Sequence, residues 1–151
     1  LVLSVGFAGG IYLLPILTAP PSPTEVALQN SASEAVYFGR FARDLEGSDL
    51  LHWGTGEVRI APDRIAHLGR LSPGPDYKLY LAPRFVETKA AFLEIKSSSV
   101  RLGDVKTFNG FILQVPRGVD VDDYSAVVIW CEAFDQFISA AEYRVPHQAL
   151  K

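Results

Sequence analysis

From Ala35 onward, apolar residues recur with a period close to two, in short runs that glycine and proline interrupt. Successive side chains of a β-strand point to opposite faces of its sheet, so this period is typical of strands. The turn sequences between the runs, such as SPGPD and PRGVDVDD, favour reversals of the chain. The pattern predicts an all-β fold, either an antiparallel β-sandwich or a barrel-like domain. The seven predicted strands span residues 36–42, 56–61, 77–82, 99–105, 110–116, 125–134 and 138–145.

One segment interrupts this series of strands. Residues 84–98 contain ETKAAFLEIK, which favours a helix by intrinsic propensity. We therefore expect a short helical insertion in which Phe92 and Ile95 cover part of the sheet. The aromatic side chains of the predicted domain form its expected core, namely Phe38, Phe41, Tyr77, Tyr80, Phe108, Phe111, Trp130 and Phe134.

The amino-terminal segment, residues 1–19, has no charged side chain. A helix of about 19 residues, at 1.5 Å per residue, comes close to the roughly 30 Å hydrocarbon core of a bilayer. We interpret this segment as a transmembrane or signal-anchor helix. A cleaved secretory leader is the alternative, although the apolar run is longer than such leaders have and no basic residue precedes it. This interpretation places a single-pass protein in the cell membrane, with its domain on the periplasmic or extracellular side.

The predicted domain organisation follows from these segments. After the anchor at residues 1–19, residues 20–35 are rich in Pro, Ser, Ala and Thr and predict a linker. Residues 36–145 form the predicted β-domain, and residues 146–151 are a tail.

Composition and motif content exclude several classes of function. With 14 basic and 17 acidic residues, the chain has a net charge of −3 and no excess of positive charge to bind a phosphate backbone. We therefore expect no nucleic-acid partner. A single cysteine excludes an intramolecular disulfide and a CxxC motif. No metal site is predicted, because the acidic run at residues 120–124 lacks the spacing of a calcium loop. No Ser/His/Asp order supports a hydrolase, so a classical enzyme is not expected.

The one cysteine, Cys131, ends the apolar run VVIWC. If this run is a strand, Val127, Ile129 and Cys131 share one face, while Val128 and Trp130 share the other. A thiol on an apolar face behaves as a small hydrophobic group with a raised pKa. A buried structural thiol, a redox or ligand role and an intermolecular disulfide therefore all stay open.

No neighbour in the sequence activates the thiol of Cys131. Glu132 and Asp135 would oppose formation of a thiolate. An activating group would have to come from elsewhere in the fold, and the candidates are His52, His67, Arg59 and Arg101.

His52 is the second candidate site residue. It lies between apolar residues and a glycine turn, where a histidine could ligate a metal or haem iron, or hydrogen-bond the thiol. A core histidine bonded to a backbone carbonyl is the alternative. We interpret His67 as a surface residue of a strand and His147 as part of the tail.

Several sequence pieces occur in a recognisable order. Gly39, Phe41, His52 and two glycines precede GPDYKLYL, LGDVKTFNGFILQVP and YSAVVIWCEAF. From about Gly39 to Tyr143 the chain resembles the DM-thirteen (DM13) domain, also called the electron-transfer DM13 family, in its bacterial, membrane-anchored, single-domain form. The resemblance implies a β-sandwich in which the shared cysteine, here Cys131, carries redox chemistry, either bare or with a prosthetic group such as haem.

These observations predict a membrane-tethered, extracytoplasmic redox or electron-transfer module centred on Cys131. If haem or a metal is bound, His52 and Cys131 are its expected ligands. The expected partners are the membrane, through the amino-terminal helix, and an unidentified redox or envelope protein. The alternative is a non-catalytic binding or structural module of the cell envelope, in which Cys131 is a buried structural residue.

Overall fold

The computed structural model describes residues 2–145. Within these residues the chain forms three helices, α1 (Val2–Thr18), α2 (Glu25–Ala32) and α3 (Lys89–Ile95), and two short 3₁₀ turns at Lys96–Ser98 and Val121–Asp123. The same residues contain eight strands: β1 (Tyr37–Phe41), β2 (Gly54–Ile60), β3 (Arg64–Leu71), β4 (Tyr77–Ala82), β5 (Val100–Val105), β6 (Phe111–Gln114), β7 (Ala126–Cys131) and β8 (Gln136–Glu142).

The strands form two antiparallel sheets of four strands each, in the orders β1-β2-β3-β6 and β5-β4-β7-β8. The main core joins the two sheets. It combines Val58 and Ile65 of the first sheet with Leu79 and Ile129 of the second, and these side chains are fully buried. The prediction of a mostly β domain with antiparallel sheets is confirmed.

Strand β7 is buried on both faces, which accounts for its unbroken apolar run. Val127, Ile129 and Cys131 belong to the core between the sheets. Val128 and Trp130 belong to a second core, on the opposite face of the same sheet. The sequence-based assignment of the two faces is therefore confirmed.

Helix α3 closes the second core. It begins at Lys89, directly after Thr88, whose hydroxyl accepts a hydrogen bond from the Ala91 amide at 3.2 Å and so caps the helix. Phe92 and Ile95 are buried, and the ring of Phe92 lies 5.0 Å from that of Trp130. The predicted helical insertion and its covering role are confirmed.

Two elements were not predicted from the sequence pattern. Strand β3 lies inside its sheet, and three successive side chains of it, Ile65, Ala66 and His67, are buried, so its burial does not alternate. Helix α2 lies within the predicted linker. It is only eight residues long, and it buries Leu28 and Ala32, so its apolar face is too small to give a clear helical period.

The predicted localisation, a single-pass protein of the cell membrane, is wrong. Between residues 2 and 145, no helix combines the length with the apolar character that a membrane crossing requires. Helix α1 has 17 residues and contains Pro15.

Two of the predicted core aromatic residues lie at the surface instead. Phe38 is 58% exposed and Phe134 is 53% exposed. Phe38 lies on the edge strand β1 and points outward, where the Arg59 guanidinium is 4.8 Å from the centre of its ring. Phe134 follows β7 in a turn. The predicted tail, with His147, lies outside the described residues.

Gly56, on β2, has a backbone conformation that residues with a side chain rarely adopt. Its φ is +104°, and a Cβ atom would lie 2.3 Å from the Leu68 carbonyl oxygen. We expect Gly56→Ala to lower the free energy of unfolding by about 2 kcal/mol, because backbone strain and a close contact act together. Urea denaturation of the full chain measures this difference.

Gly118 provides a matched control for this substitution. Its φ is +88°, but a Cβ atom there would meet no other atom within 4 Å. Gly118→Ala should therefore lower the free energy of unfolding by only about 1 kcal/mol, from backbone strain alone. Equal losses in the two variants would show that the contact with Leu68 contributes nothing.

Candidate functional site

An apolar cavity of about 430 Å³ lies between α1, one end of the sheet β5-β4-β7-β8 and the neighbouring loops. This volume is within the range of roughly 300–1,000 Å³ that small-molecule sites have. The wall combines the end of β7, the starts of β4 and β8, the loop before β2, and one side of α1. This cavity is the candidate functional site.

Both site residues predicted from the sequence line this cavity. Cys131 is the last residue of β7, where it pairs with Tyr77 of β4 and Gln136 of β8. His52 comes from the loop before β2. The fold thus brings together two residues that are distant in the chain.

The thiol of Cys131 is held in its protonated form. The residue is 2% exposed. Burial and the charge of Asp76 raise the pKa of this thiol above its ordinary value, although the backbone N–H groups of Phe134, Asp76 and Ala133 act in the opposite direction. Since the thiolate is the nucleophilic form, Cys131 is a weak nucleophile at neutral pH.

Glu132 is not among the main influences on the pKa of Cys131, and its side chain is engaged elsewhere. Its carboxylate accepts hydrogen bonds from the Tyr80 hydroxyl and from Lys96 Nζ, the latter at 2.8 Å. Burial works against ionisation of Glu132, but these hydrogen bonds outweigh it and lower the pKa of the carboxyl group. The negative charge that acts on Cys131 comes from Asp76.

Asp49 holds His52 in place. The Asp49 Oδ1 atom accepts hydrogen bonds from the backbone N–H groups of Leu51 and His52, at 2.7 and 2.8 Å. The Oδ2 atom of Asp49 lies 2.8 Å from Nδ1 of the His52 ring. Burial alone would raise the pKa of Asp49, but the hydrogen bonds from His52 and Leu51 lower it, so the carboxylate stays ionised.

The Asp49 carboxylate also sets the direction of hydrogen bonding at the His52 ring. An ionised carboxylate only accepts hydrogen bonds, so the Nδ1–H group of neutral His52 donates a hydrogen bond to Asp49. The second ring nitrogen, Nε2, then carries a lone pair and acts as an acceptor. Among the described residues, no group forms a hydrogen bond with this nitrogen.

Ser72 links the turn at residues 72–77 to the His52 loop. Its Oγ atom accepts a hydrogen bond from the Trp53 N–H at 3.0 Å, and its own N–H donates to the Trp53 carbonyl at 2.9 Å. Within the turn, a Cβ atom on Gly74 would lie 2.2 Å from the Tyr77 ring, so only glycine allows this close packing. The two loops therefore form one continuous wall.

Of the four residues predicted as possible activators of Cys131, only His52 lines the cavity. The prediction that His67 is a surface residue is wrong. His67 is fully buried because β3 is an inner strand, and its Nε2 donates to the Thr55 carbonyl at 2.8 Å. Arg59 lies outside the cavity, where it pairs with Glu57 at 2.6 Å.

Several residues of the site were not found from the sequence. The sequence does indicate a role for Asp49. An aspartate three residues before a histidine can accept hydrogen bonds both from the backbone N–H groups of the loop and from the histidine ring. Three further residues, Tyr12, Tyr77 and Gln136, line the cavity itself. They carry no such signal, since only the packing of distant segments places them there.

The cavity wall has one feature of a haem site but lacks two others. His52 has the orientation of many metal-ligating histidines, whose second ring nitrogen donates to a carboxylate. However, the protonated Cys131 thiol is a poor ligand, and the wall formed by the described residues contains no Lys or Arg to pair with the two haem carboxylates. Because an unpaired charge in an apolar site is costly, the cavity does not fit a haem.

Comparison with known proteins gave one match. The model of a family described as Electron transfer DM13 matches residues 40–143, which is more than half of the chain. This match confirms the resemblance drawn from the sequence over nearly the same residues. No curated protein and no solved structure gave a match.

Proposed function

The chain belongs to the Electron transfer DM13 family, and from this membership we propose that it is an electron-transfer module whose site of exchange is the cavity lined by Cys131 and His52. The main support for this proposal is the convergence of these two residues, one at the end of β7 and the other in the loop before β2, on one apolar cavity. The sequence alone also predicts both residues as site candidates.

The chemistry of the wall suits a group that gains or loses electrons. Removing an electron from a group in an apolar cavity leaves a charge that the low dielectric disfavours. A proton that leaves at the same time cancels this charge, and His52 Nε2 can accept such a proton because Asp49 stabilises the resulting cation. In this proposal Cys131 contacts the bound group as a neutral thiol.

A redox titration of the full chain tests this function. We expect the absorption or electron paramagnetic resonance spectrum to change reversibly between dithionite and ferricyanide. Cys131→Ala and His52→Gln should shift or abolish this change, because both residues line the cavity. Glu57→Gln is a matched control, since Glu57 lies on β2 and pairs with Arg59 outside the cavity; it should leave the spectra unchanged.

A second candidate function is a non-catalytic binding or structural module. It is supported by the 2% exposure and the raised pKa of Cys131, which are also the properties of a thiol that only fills space. This function predicts no reversible spectral change. It also predicts that N-ethylmaleimide labels Cys131 only as fast as the whole domain unfolds.

Thiol labelling therefore separates the two functions. If the cavity is the site of exchange, small uncharged N-ethylmaleimide should reach Cys131 in the folded chain faster than unfolding allows. Labelling at the unfolding rate, together with an unchanging spectrum, would contradict the electron-transfer proposal. The redox protein expected as a partner stays a prediction.

A further inference from the structure

The first constraint on what the cavity binds is its lack of charge. The described residues that line it include no Asp, Glu, Lys or Arg. A charged ligand would lose its hydration there without gaining an ionic partner, which costs several kcal/mol. The ligand must therefore be neutral and largely apolar.

The second constraint is the direction of hydrogen bonding. Nε2 of neutral His52 is an acceptor because Nδ1 donates to Asp49. Two other polar groups of the wall are already engaged: the Tyr77 hydroxyl lies 3.4 Å from Ser72 Oγ, and Gln136 Nε2 donates to the Phe137 carbonyl at 3.2 Å. A ligand that completes the hydrogen bonding of His52 must therefore donate, and a neutral ligand does so through a hydroxyl or N–H group.

The third constraint is the shape and composition of the wall. Tyr77, Phe134 and the prolines at positions 73 and 75 present rings to the cavity. Aromatic ligands pack well against such rings. The cavity volume of about 430 Å³ admits a substituted single ring.

From these three constraints we infer that the cavity binds a neutral phenol or hydroquinone, whose hydroxyl group donates a hydrogen bond to His52 Nε2. This inference rests on the proposed electron-transfer function, because such rings exchange electrons and give up their hydroxyl proton on oxidation. The acceptor nitrogen of His52 then lies where that proton leaves. The inference concerns binding, which needs no electron acceptor.

Isothermal titration calorimetry of the full chain under nitrogen tests this inference. The two probes are tetramethylhydroquinone and its dimethyl ether, which has the same ring but no hydroxyl donor. We expect the hydroquinone to bind the wild-type chain about tenfold more tightly than the ether, as one additional hydrogen bond would provide.

The variants assign this preference to His52. In His52→Phe, both probes should bind with affinities within about threefold of each other, since the acceptor is gone and the wall stays apolar. Asp49→Asn should weaken the preference, because the amide no longer fixes Nδ1 as the donor. Glu57→Gln should keep the wild-type preference. Circular dichroism confirms that each variant is folded.

Two results would overturn the inference: equal affinity of the wild-type chain for both probes, or no binding of either probe. Neither result decides the proposed function, because the spectral redox titration follows whatever redox group the purified chain itself carries. Conversely, the electron-transfer function would be contradicted, and the binding site supported, by a tenfold preference with no reversible spectral change in the purified chain and no effect of the chain on the rate at which ferricyanide oxidises the hydroquinone.

Discussion

Replacing Trp130 with alanine is expected to lower the free energy of unfolding by about 3 to 5 kcal/mol, the usual range for a large buried aromatic residue. Trp130 is fully buried in β7, its ring lies 5.0 Å from that of Phe92, and Lys96 Nζ lies 5.2 Å from its centre. Without the indole, α3 and its sheet enclose an empty space that neither can fill. Urea denaturation followed by circular dichroism measures the loss.

Trp53, the other tryptophan of the chain, is the matched control. It is half-buried, and the Arg43 guanidinium lies 4.2 Å from the centre of its ring. We expect Trp53→Ala to lower the free energy of unfolding by about 1 kcal/mol, the size of a partly exposed cation–π contact. A loss for Trp130→Ala no larger than this would contradict the role of α3 in closing a second core.

Lowering the pH from 7 to 4 is expected to reduce the free energy of unfolding by about 3 kcal/mol through His67 alone. Burial lowers the pKa of His67 from 6.5 to about 4, against the opposing effect of the hydrogen bond to the Thr55 carbonyl. Between these two values His67 is protonated in the unfolded chain but neutral in the folded one. The unfolded state therefore binds more protons, and stability that is complete above pH 6.5 is lost as the pH falls towards 4.

The variant His67→Phe isolates this contribution. It removes the titrating ring but keeps an aromatic side chain between Phe41 and Phe111, whose rings each lie 5.1 Å from that of His67. The variant loses the hydrogen bond to the Thr55 carbonyl, so we expect it to be less stable than wild type at pH 7. Its free energy of unfolding should nevertheless fall less steeply between pH 6.5 and 4.

Denaturation at several pH values compares the two proteins. Carboxyl groups also titrate at the lower end of this range, but they are common to both chains, so the difference between the two slopes belongs to His67. Parallel curves for wild type and His67→Phe would show that burial does not lower the pKa of this histidine.

The sequence pattern predicted much of the β-domain because burial of a strand leaves a local signal. The apolar run of β7 located Val128 and Trp130 on one face and Cys131 on the other, as observed. Strand β3 was not predicted because its buried residues do not alternate with exposed ones. His67 is polar, so the sequence pattern predicted an exposed side chain there, although the residue is buried. The amino-terminal segment lacked charges and predicted a membrane helix, but no helix between residues 2 and 145 is long and apolar enough for a crossing.

The sequence alone therefore determined which residues of the β-domain are apolar, where most of its strands run, and that Cys131 lies on an apolar face. Only the tertiary structure decided that Cys131 and His52 share one cavity, that Asp49 directs the His52 ring, and that Glu132 turns away towards Lys96. The physical reason is the range of each interaction. Side-chain alternation records local burial in consecutive residues, whereas the meeting of a strand residue and a distant loop residue depends on how the whole domain packs.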